Sequence, residues 1–391
     1  MAESSRRQFL SAGLLLPVAA ATSRLNLLQS SSAVGKALAS PSAAPKLDYR
    51  VLGKTGLKVT TVGFGCMITS DPSVIARAVD LGINFFDTAR TYQQGNNERM
   101  VGTALGAKRK QIVLSSKSHS LDKASLLKDL DTSLSELKTD YLDIWYLHAK
   151  SKPEEIHDDM IEAQQIALQQ GKIRFRGVST HFGQQTLAPW IVQKGVFDVV
   201  LTAYNFTMDA SMNQAIESLS KAGIGIVGMK VMAGGFRGSG HGMPATPQMQ
   251  REGAMLSALK WVLNKPYVDT TIPSMTDMDQ LDENLRAMAE TFSPADGKVL
   301  TAHLEAIRPL YCRMCGECDG ACAHELPIAD MLRILTYADG YRQFGLARER
   351  FRELSPHQIA VRCADCAECT VKCPHGVHVA DRLTRAQDLF A

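Results

Sequence analysis

No long basic stripe runs through this sequence. Its 43 basic residues face 40 acidic ones, a net charge of +3, which argues against nucleic acid as a partner. Long apolar stretches are missing as well. The uncharged segment from Gln8 to Ser23 is broken by Pro17 and falls short of the ~20 residues of a membrane span. Aromatics are few, at 6% of residues against 45% hydrophobic, an ordinary globular composition. The chain of 391 residues exceeds the roughly 250–300 at which a single core stops growing, so there is room for one large domain and a small one.

Arg6 and Arg7 stand just before the apolar segment, in "SSRRQFLSAGLLLPVAAAT". This pattern resembles a twin-arginine export signal, S-R-R-x-F-L ahead of a hydrophobic core. Ala37-Leu38-Ala39 suits a signal peptidase, and earlier alanine pairs are alternatives. An uncleaved tether and a frayed tail with chance arginines are the rival readings. Residues 23–46 are rich in Ser and Ala and read as a linker. Residues 1–46 are therefore expected to direct export to the periplasm or cell envelope, with no membrane span beyond an uncleaved signal.

Eight of the nine cysteines fall in two short runs near the C-terminal end. Cys312, Cys315, Cys318 and Cys322 are spaced C-x2-C-x2-C-x3-C, and Cys363, Cys366, Cys369 and Cys373 repeat that spacing ahead of Pro374. This is the bacterial-ferredoxin spacing for [4Fe–4S] clusters, in which the fourth cysteine often reaches the neighbouring cluster. Four cysteines so close together cannot all pair locally as disulfides without strain. Structural zinc usually draws two pairs from separate segments. Two [4Fe–4S] clusters are expected, the first run being the weaker case because Ala323 replaces the proline. "PIADMLRILTYADGY" and "SPHQIAVRC" between and beside the runs carry apolar residues at helical spacing, so residues 293–391 read as an α-helical ferredoxin-like domain. Twin-arginine export moves folded proteins, which suits clusters built in a reducing cytoplasm.

Between 47 and 292 short apolar runs alternate with amphipathic stretches: "VTTVGFGC", "INFFDTA", "QIVLSSKS", "YLDIWYLH", "IRFRGVST", "FDVVLTAYN", "GIGIVGMKVM" and "VDTTIPS". This is the rhythm of an α/β fold, a (β/α)8 TIM barrel. "YRVLGKTGLKV" reads as a hairpin that closes the barrel floor. Successive strands end near Asp87, Lys117 and His148, with Tyr92 five positions after Asp87. The C-terminal strand ends of a barrel share one mouth, where active sites are built. A lone histidine after a strand is more often structural; three titratable groups on successive strands are not.

"FFDTARTY", "NNERMVGTAL", "SSKSH", "YLDIWYLH", "GVST", "AYN" and "IPSMTDMDQLDENL" are similar to the aldo-keto reductase family over most of residues 48–290. With the cysteine tail, the chain resembles the ferredoxin-fused branch of that family. The resemblance implies a catalytic tetrad of Asp87, Tyr92, Lys117 and His148. Tyr92 would donate or accept the proton, and Lys117, held by Asp87, would lower its pKa from the free value of ~10. His148 would orient the carbonyl and stabilise developing charge. The expected substrate is a small carbonyl or alcohol, including sugars.

The family also implies NAD(P)H, and the site matches it in part. Ser179 and Thr180 near the amide, Tyr204, Ser274 near the phosphate, and Glu283 and Asn284 near the adenine are the expected cofactor contacts. The glutamine and stacking tyrosine of many members are replaced by Leu201 and Met229, and the 2′-phosphate cations by Ser274 and Gln280. Lys230 is the nearest replacement cation. Weaker preference for NADPH over NADH, or an external electron donor or acceptor acting through the clusters, follows. The alternative reading is an electron-transfer protein whose barrel is a non-catalytic scaffold. Among the remaining features, Cys66 reads as a buried core residue and His181 as a mouth or rim group. The loop at 234–247 reads as a lid, and His375 and His378 as surface groups beside the last cluster.

Overall fold

Short strands rich in Val, Ile, Leu and Phe, each followed by an amphipathic helix, favour a parallel sheet buried on both faces. The computed structural model describes residues 46–236 and 253–391. The export signal and linker up to residue 45, and the 237–247 part of the expected lid, lie outside the described residues. A hairpin comes first: β1 (Tyr49–Val51) pairs antiparallel with β2 (Lys58–Thr60) around a turn in which Gly56 is left-handed. Eight parallel strands follow: β3 (Phe64–Gly65), β4 (Phe85–Asp87), β5 (Val113–Ser118), β6 (Leu142–Leu147), β7 (Ile173–Thr180), β8 (Val199–Ala203), β9 (Gly225–Met229) and β10 (Thr270–Thr271). Bridges from Val62 to Thr271 and from Gly65 to Ser274 join the first strand to the last. The expected first strand is thus split, its Val59 and Thr60 serving the hairpin.

Between and after the strands lie α1 (Pro72–Asp80), α2 (Asn96–Leu105), α3 (Lys123–Leu137), α4 (Asp158–Gln169), α5 (Gln184–Lys194), α6 (Ala210–Lys221), α7 (Ala254–Leu263) and α8 (Met278–Ala289). Asp71, Asp122, Asp209 and Asp277 start α1, α3, α6 and α8, each side chain accepting a backbone N–H of the first turn, which satisfies a donor the helix itself leaves open. Strand alternation divides the apolar residues into two cores. Phe85, Ile144, Val199, Leu201 and Val227 point inward, and the hairpin residues Leu52, Leu57 and Val59 pack beneath them as a floor. Phe86, Trp145, Val200 and Ile226 point outward against the helices.

The C-terminal region adds α9 (Pro294–Ile307), α10 (Ile328–Asp339), α11 (Phe344–Arg352), α12 (Pro356–Ala360) and α13 (Val379–Phe390). Residues Ala44–Ala391 form one compact unit, so this tail is packed on the barrel rather than tethered to it. Its own core joins Leu332, Leu335, Phe351, Leu383 and Phe390 with Met67 from the barrel. The approach is tightest at Gly340, where a Cβ would stand 2.0 Å from the Gly234 carbonyl oxygen, so only glycine fits.

One ion cluster ties the tail together. Asp339, fully buried, accepts from Arg382 at 2.6 Å and from Arg385 at 2.8 Å, joining α10 to α13. Asp339→Ala removes the carboxylate both guanidiniums share and is expected to destabilise the fold by about 3–5 kcal/mol, read as a lowered denaturant midpoint with an unchanged slope.

Candidate active site

Above the barrel floor the strand ends open into a cavity of about 910 Å³, lined by Asp87, Tyr92, His119, His148 and His181 from the barrel. Asp87 closes β4, and its Oδ2 lies 2.5 Å from Lys117 Nζ on β5. Ser115 donates to the other carboxylate oxygen at 2.7 Å. Lys117 also donates to the Thr88 carbonyl at 2.7 Å and to the Tyr92 hydroxyl at 3.3 Å. His148 follows β6, its ring edge-on to Tyr92 with centroids 6.0 Å apart. The four residues expected as a tetrad are therefore brought together.

The loop that carries Tyr92 is clamped from behind. Thr88 donates to Asn97 Oδ1 at 2.6 Å, Asn97 donates to the Cys66 carbonyl at 2.8 Å, and Ser116 donates to Glu98 at 2.6 Å. Arg90 pairs with the same Glu98. This is the physical work of the "NNER" segment: its polar groups fix the loop from the start of α2. Gln93 and Gln94 both have left-handed backbone, φ 49° and 54°, a strain that such clamping sustains. Cys66 is a buried core thiol, pushed up by burial.

Electrostatics refine the expectation for Tyr92. Burial pushes its phenol up, and Lys117 pulls it down without cancelling that shift, so the group stays a proton donor above its ordinary value. Burial also works against the Lys117 ammonium, but Asp87 and Tyr92 outweigh it and hold the charge. His148 is driven well below its ordinary range by burial, then by His119 and Lys117, and is neutral. His119 stacks on it with centroids 3.8 Å apart and is likewise lowered, to about 4, chiefly by burial. A neutral imidazole offers one N–H to a substrate oxygen without competing for the proton.

The expected cofactor contacts separate. Ser274, Gln280, Met229 and Lys230 line the cavity. Asn284 on α8 is buried with both amide atoms lacking a partner, an orphaned group that fits a nucleotide contact. Glu283, beside it, is half-buried on α8. Ser179 accepts from the Ala149 N–H at 2.9 Å and Thr180 donates to the Phe182 carbonyl at 2.6 Å, so neither hydroxyl faces the cavity lining. Tyr204 corrects the reading made from "AYN". Alternation turns it outward, where it packs on Trp261 and meets the Tyr267 hydroxyl at 2.7 Å, away from the mouth.

With a barrel, a mouth and these four side chains in place, the comparisons are decisive. Residues 70–255 match the model of the Aldo/keto reductase family. The barrel is similar to the aldo/keto reductases, and the chain is an oxidoreductase. It is 26% identical over 299 residues to an uncharacterized oxidoreductase YqkF of Bacillus subtilis, covering 65% of this chain and 95% of that one. It is 27% identical over 301 residues to an L-galactose dehydrogenase of Arabidopsis thaliana, covering 67% and 94%. The holo form of aldo-keto reductase AKR11C1 from Bacillus halodurans shares the fold with a TM-score of 0.57 and 24% identity, covering 66% and 96%.

The barrel carries a roof that sequence reasoning missed. Arg333, Tyr337, Tyr341 and Arg350, from α10, α11 and the turn between, line the same cavity as the tetrad. The eight tail cysteines are unpaired as disulfides and fall into two sets. Cys312, Cys315 and Cys318 share one hollow with Cys373 from the other run. Cys363 lies among Cys366, Cys369 and Cys322. Each set thus has three thiols from one run and one from the other. His375 pairs with Glu317 at 3.0 Å beside the first set, and His378 stands exposed near Asp381. Among the described residues no helix is long and apolar enough to cross a membrane.

Proposed function

We propose that this chain is an exported iron–sulfur aldo/keto reductase. It interconverts a carbonyl and an alcohol at Tyr92, its tail holds two [4Fe–4S] clusters, and it works in the periplasm or cell envelope. The observation that carries the reading is the exchange of fourth cysteines beneath a roof shared with the tetrad. Two crossed sets of four thiols, each with three from one C-x2-C-x2-C loop and one from the other run, suit two cubes. Cys312 lies near enough to Lys230, a lining residue, to act on its charge, so a cluster held by the first set would stand beside the cavity.

When bound, NAD(P)H would supply both electrons of the reduction as hydride, and clusters held by the tail cysteines would pass single electrons between an external partner and the nucleotide. The chain's own residues do the rest. The roof excludes water from the mouth, His148 offers an N–H to the carbonyl oxygen, and Tyr92 donates its proton to that oxygen. Lys117, fixed by Asp87, stabilises the phenolate left behind. The L-galactose dehydrogenase relative favours a sugar-like substrate. The scaffold alternative draws on the absence of a cation at Ser274 and Gln280. Anaerobically purified protein is expected to hold about eight iron and about eight sulfide per chain, and to bleach in the visible when NADH or NADPH is added. Colourless, metal-free protein would end the iron–sulfur reading; coloured protein indifferent to nucleotide would move the electron source to an outside donor.

A further inference from the structure

The cavity holds a second ionisable cluster that the tetrad does not use. Arg333 Nη1 donates to the Tyr337 hydroxyl at 2.7 Å, and its guanidinium carbon lies 5.6 Å from that ring's centroid. Lys230, just past β9, places Nζ 5.2 Å from the same centroid. Two cations therefore meet on one phenol. Asp330 engages Arg333 through Nε and Nη2, at 3.2 and 2.8 Å. Lys230 makes no ion pair or hydrogen bond through Nζ with any described residue.

The charges around the cavity do not balance. Its lining contributes Lys230, Arg333, Arg342 and Arg350 against Asp87 and Glu353. Asp87 is taken by Lys117, Glu353 by Arg350 at 2.8 Å and Arg333 by Asp330 at 2.8 Å, which leaves Lys230 and the exposed Arg342. The three lining histidines are neutral, burial holding each one down first, with neighbouring histidines and cations adding to it. Burial would raise the Tyr337 phenol, but Arg333, Lys230 and Arg350 override it and bring it to about 8. Near neutral pH that phenol is mainly protonated, so it does not neutralise Lys230. Lys230, enclosed and without a counter-ion among the described residues, is costly to hold as a cation, and the site is poised to gain an anion.

We propose, building on the carbonyl–alcohol reading, that Lys230 and Arg333 bind a carboxylate of the substrate, with the Tyr337 hydroxyl as a third contact. The substrate class is then a sugar acid or another carboxylated carbonyl compound, not a neutral sugar. Arg333 Nη1, the guanidinium nitrogen that Asp330 does not hold, and the Lys230 ammonium supply charge-assisted bonds to the carboxylate oxygens. The roof helix thereby sets specificity for a reaction whose proton chemistry belongs to the barrel.

The test compares 4-(hydroxymethyl)benzoate with its methyl ester, a pair differing in one charge, by calorimetric titration of anaerobically prepared holoprotein. The carboxylate is expected to bind at least about tenfold more tightly than the ester. Lys230→Met and Arg333→Met should each reduce that preference about tenfold, and Arg333→Lys should keep part of it. Equal binding of the two ligands by the unmodified protein overturns the proposal, as do variants that weaken both alike. Variants that keep the preference but weaken NADPH, titrated in the same way, also overturn it by assigning the cations to a nucleotide phosphate. Binding is read without turnover, so a protein that discriminates yet converts neither ligand would sink the carbonyl–alcohol reading and leave this one standing.

Discussion

Tyr92→Phe is expected to lower kcat for carbonyl reduction about 100- to 10,000-fold, the range for loss of a positioned general acid, with KM changed little. The phenyl ring keeps the edge-on contact with His148; only the hydroxyl that meets Lys117 at 3.3 Å is lost. The pH profile carries the second half of the expectation. Because burial raises the Tyr92 phenol despite Lys117, the donor form persists above the ordinary tyrosine value of ~10. Reduction should therefore hold its rate through neutral and mildly alkaline pH and fall only above that value, while alcohol oxidation, which needs the phenolate, should climb over the same interval. Steady-state kinetics from pH 6 to 11 would check both limbs. A reduction rate falling already near pH 8, or full activity in Tyr92→Phe, would remove Tyr92 from the role and point to a group such as Tyr337.

The tetrad was legible because two simple regularities locate it. Apolar runs of strand length fix the strand ends, and barrel strand ends share a mouth, so Asp87, Lys117 and His148 converge whatever the details. Tyr204 shows the limit of reading motifs without their period. Leu201 and Ala203 face into the barrel, so the next residue must face out, and it does. The roof was not legible. The helical spacing of Ile328–Asp339 announces a buried face, yet α10 is buried almost all round. No periodicity states that its second face covers a barrel mouth. Arg333 and Tyr337 read in sequence as an ordinary polar edge and become cavity residues only through that packing. The net direction of the Tyr92 shift was hidden likewise: Lys117 was visible, but the degree of enclosure that outweighs it was not.

Cys373→Ala is expected to strip the iron held by the first run of cysteines, not by its own. Cys373 lies with Cys312, Cys315 and Cys318, and Cys322 lies with Cys363, Cys366 and Cys369. Iron should fall from about eight to about four per chain, and pairs of variants decide which cluster went. Cys312→Ala added to Cys373→Ala should cost no further iron, because on the proposed reading both would ligate one cube, whereas Cys363→Ala added to Cys373→Ala should remove nearly all of it. Ligation within each run predicts the reverse, so iron analysis of the two double variants separates the arrangements without reference to activity. The consequence reaches the active site through packing. Six of the eight cysteines lie against the same apolar core as Leu332, Leu335 and Leu383, and α10 is the helix that presents Arg333 and Tyr337 to the cavity. Removing both cubes would leave that core lined with thiols that have lost their partners and loosen the roof. The barrel, with its separate inner and outer cores, should remain folded. The loss of helical circular dichroism should then be confined to a low-temperature step ahead of barrel unfolding, and carboxylate preference should disappear with that step while the tetrad stays assembled.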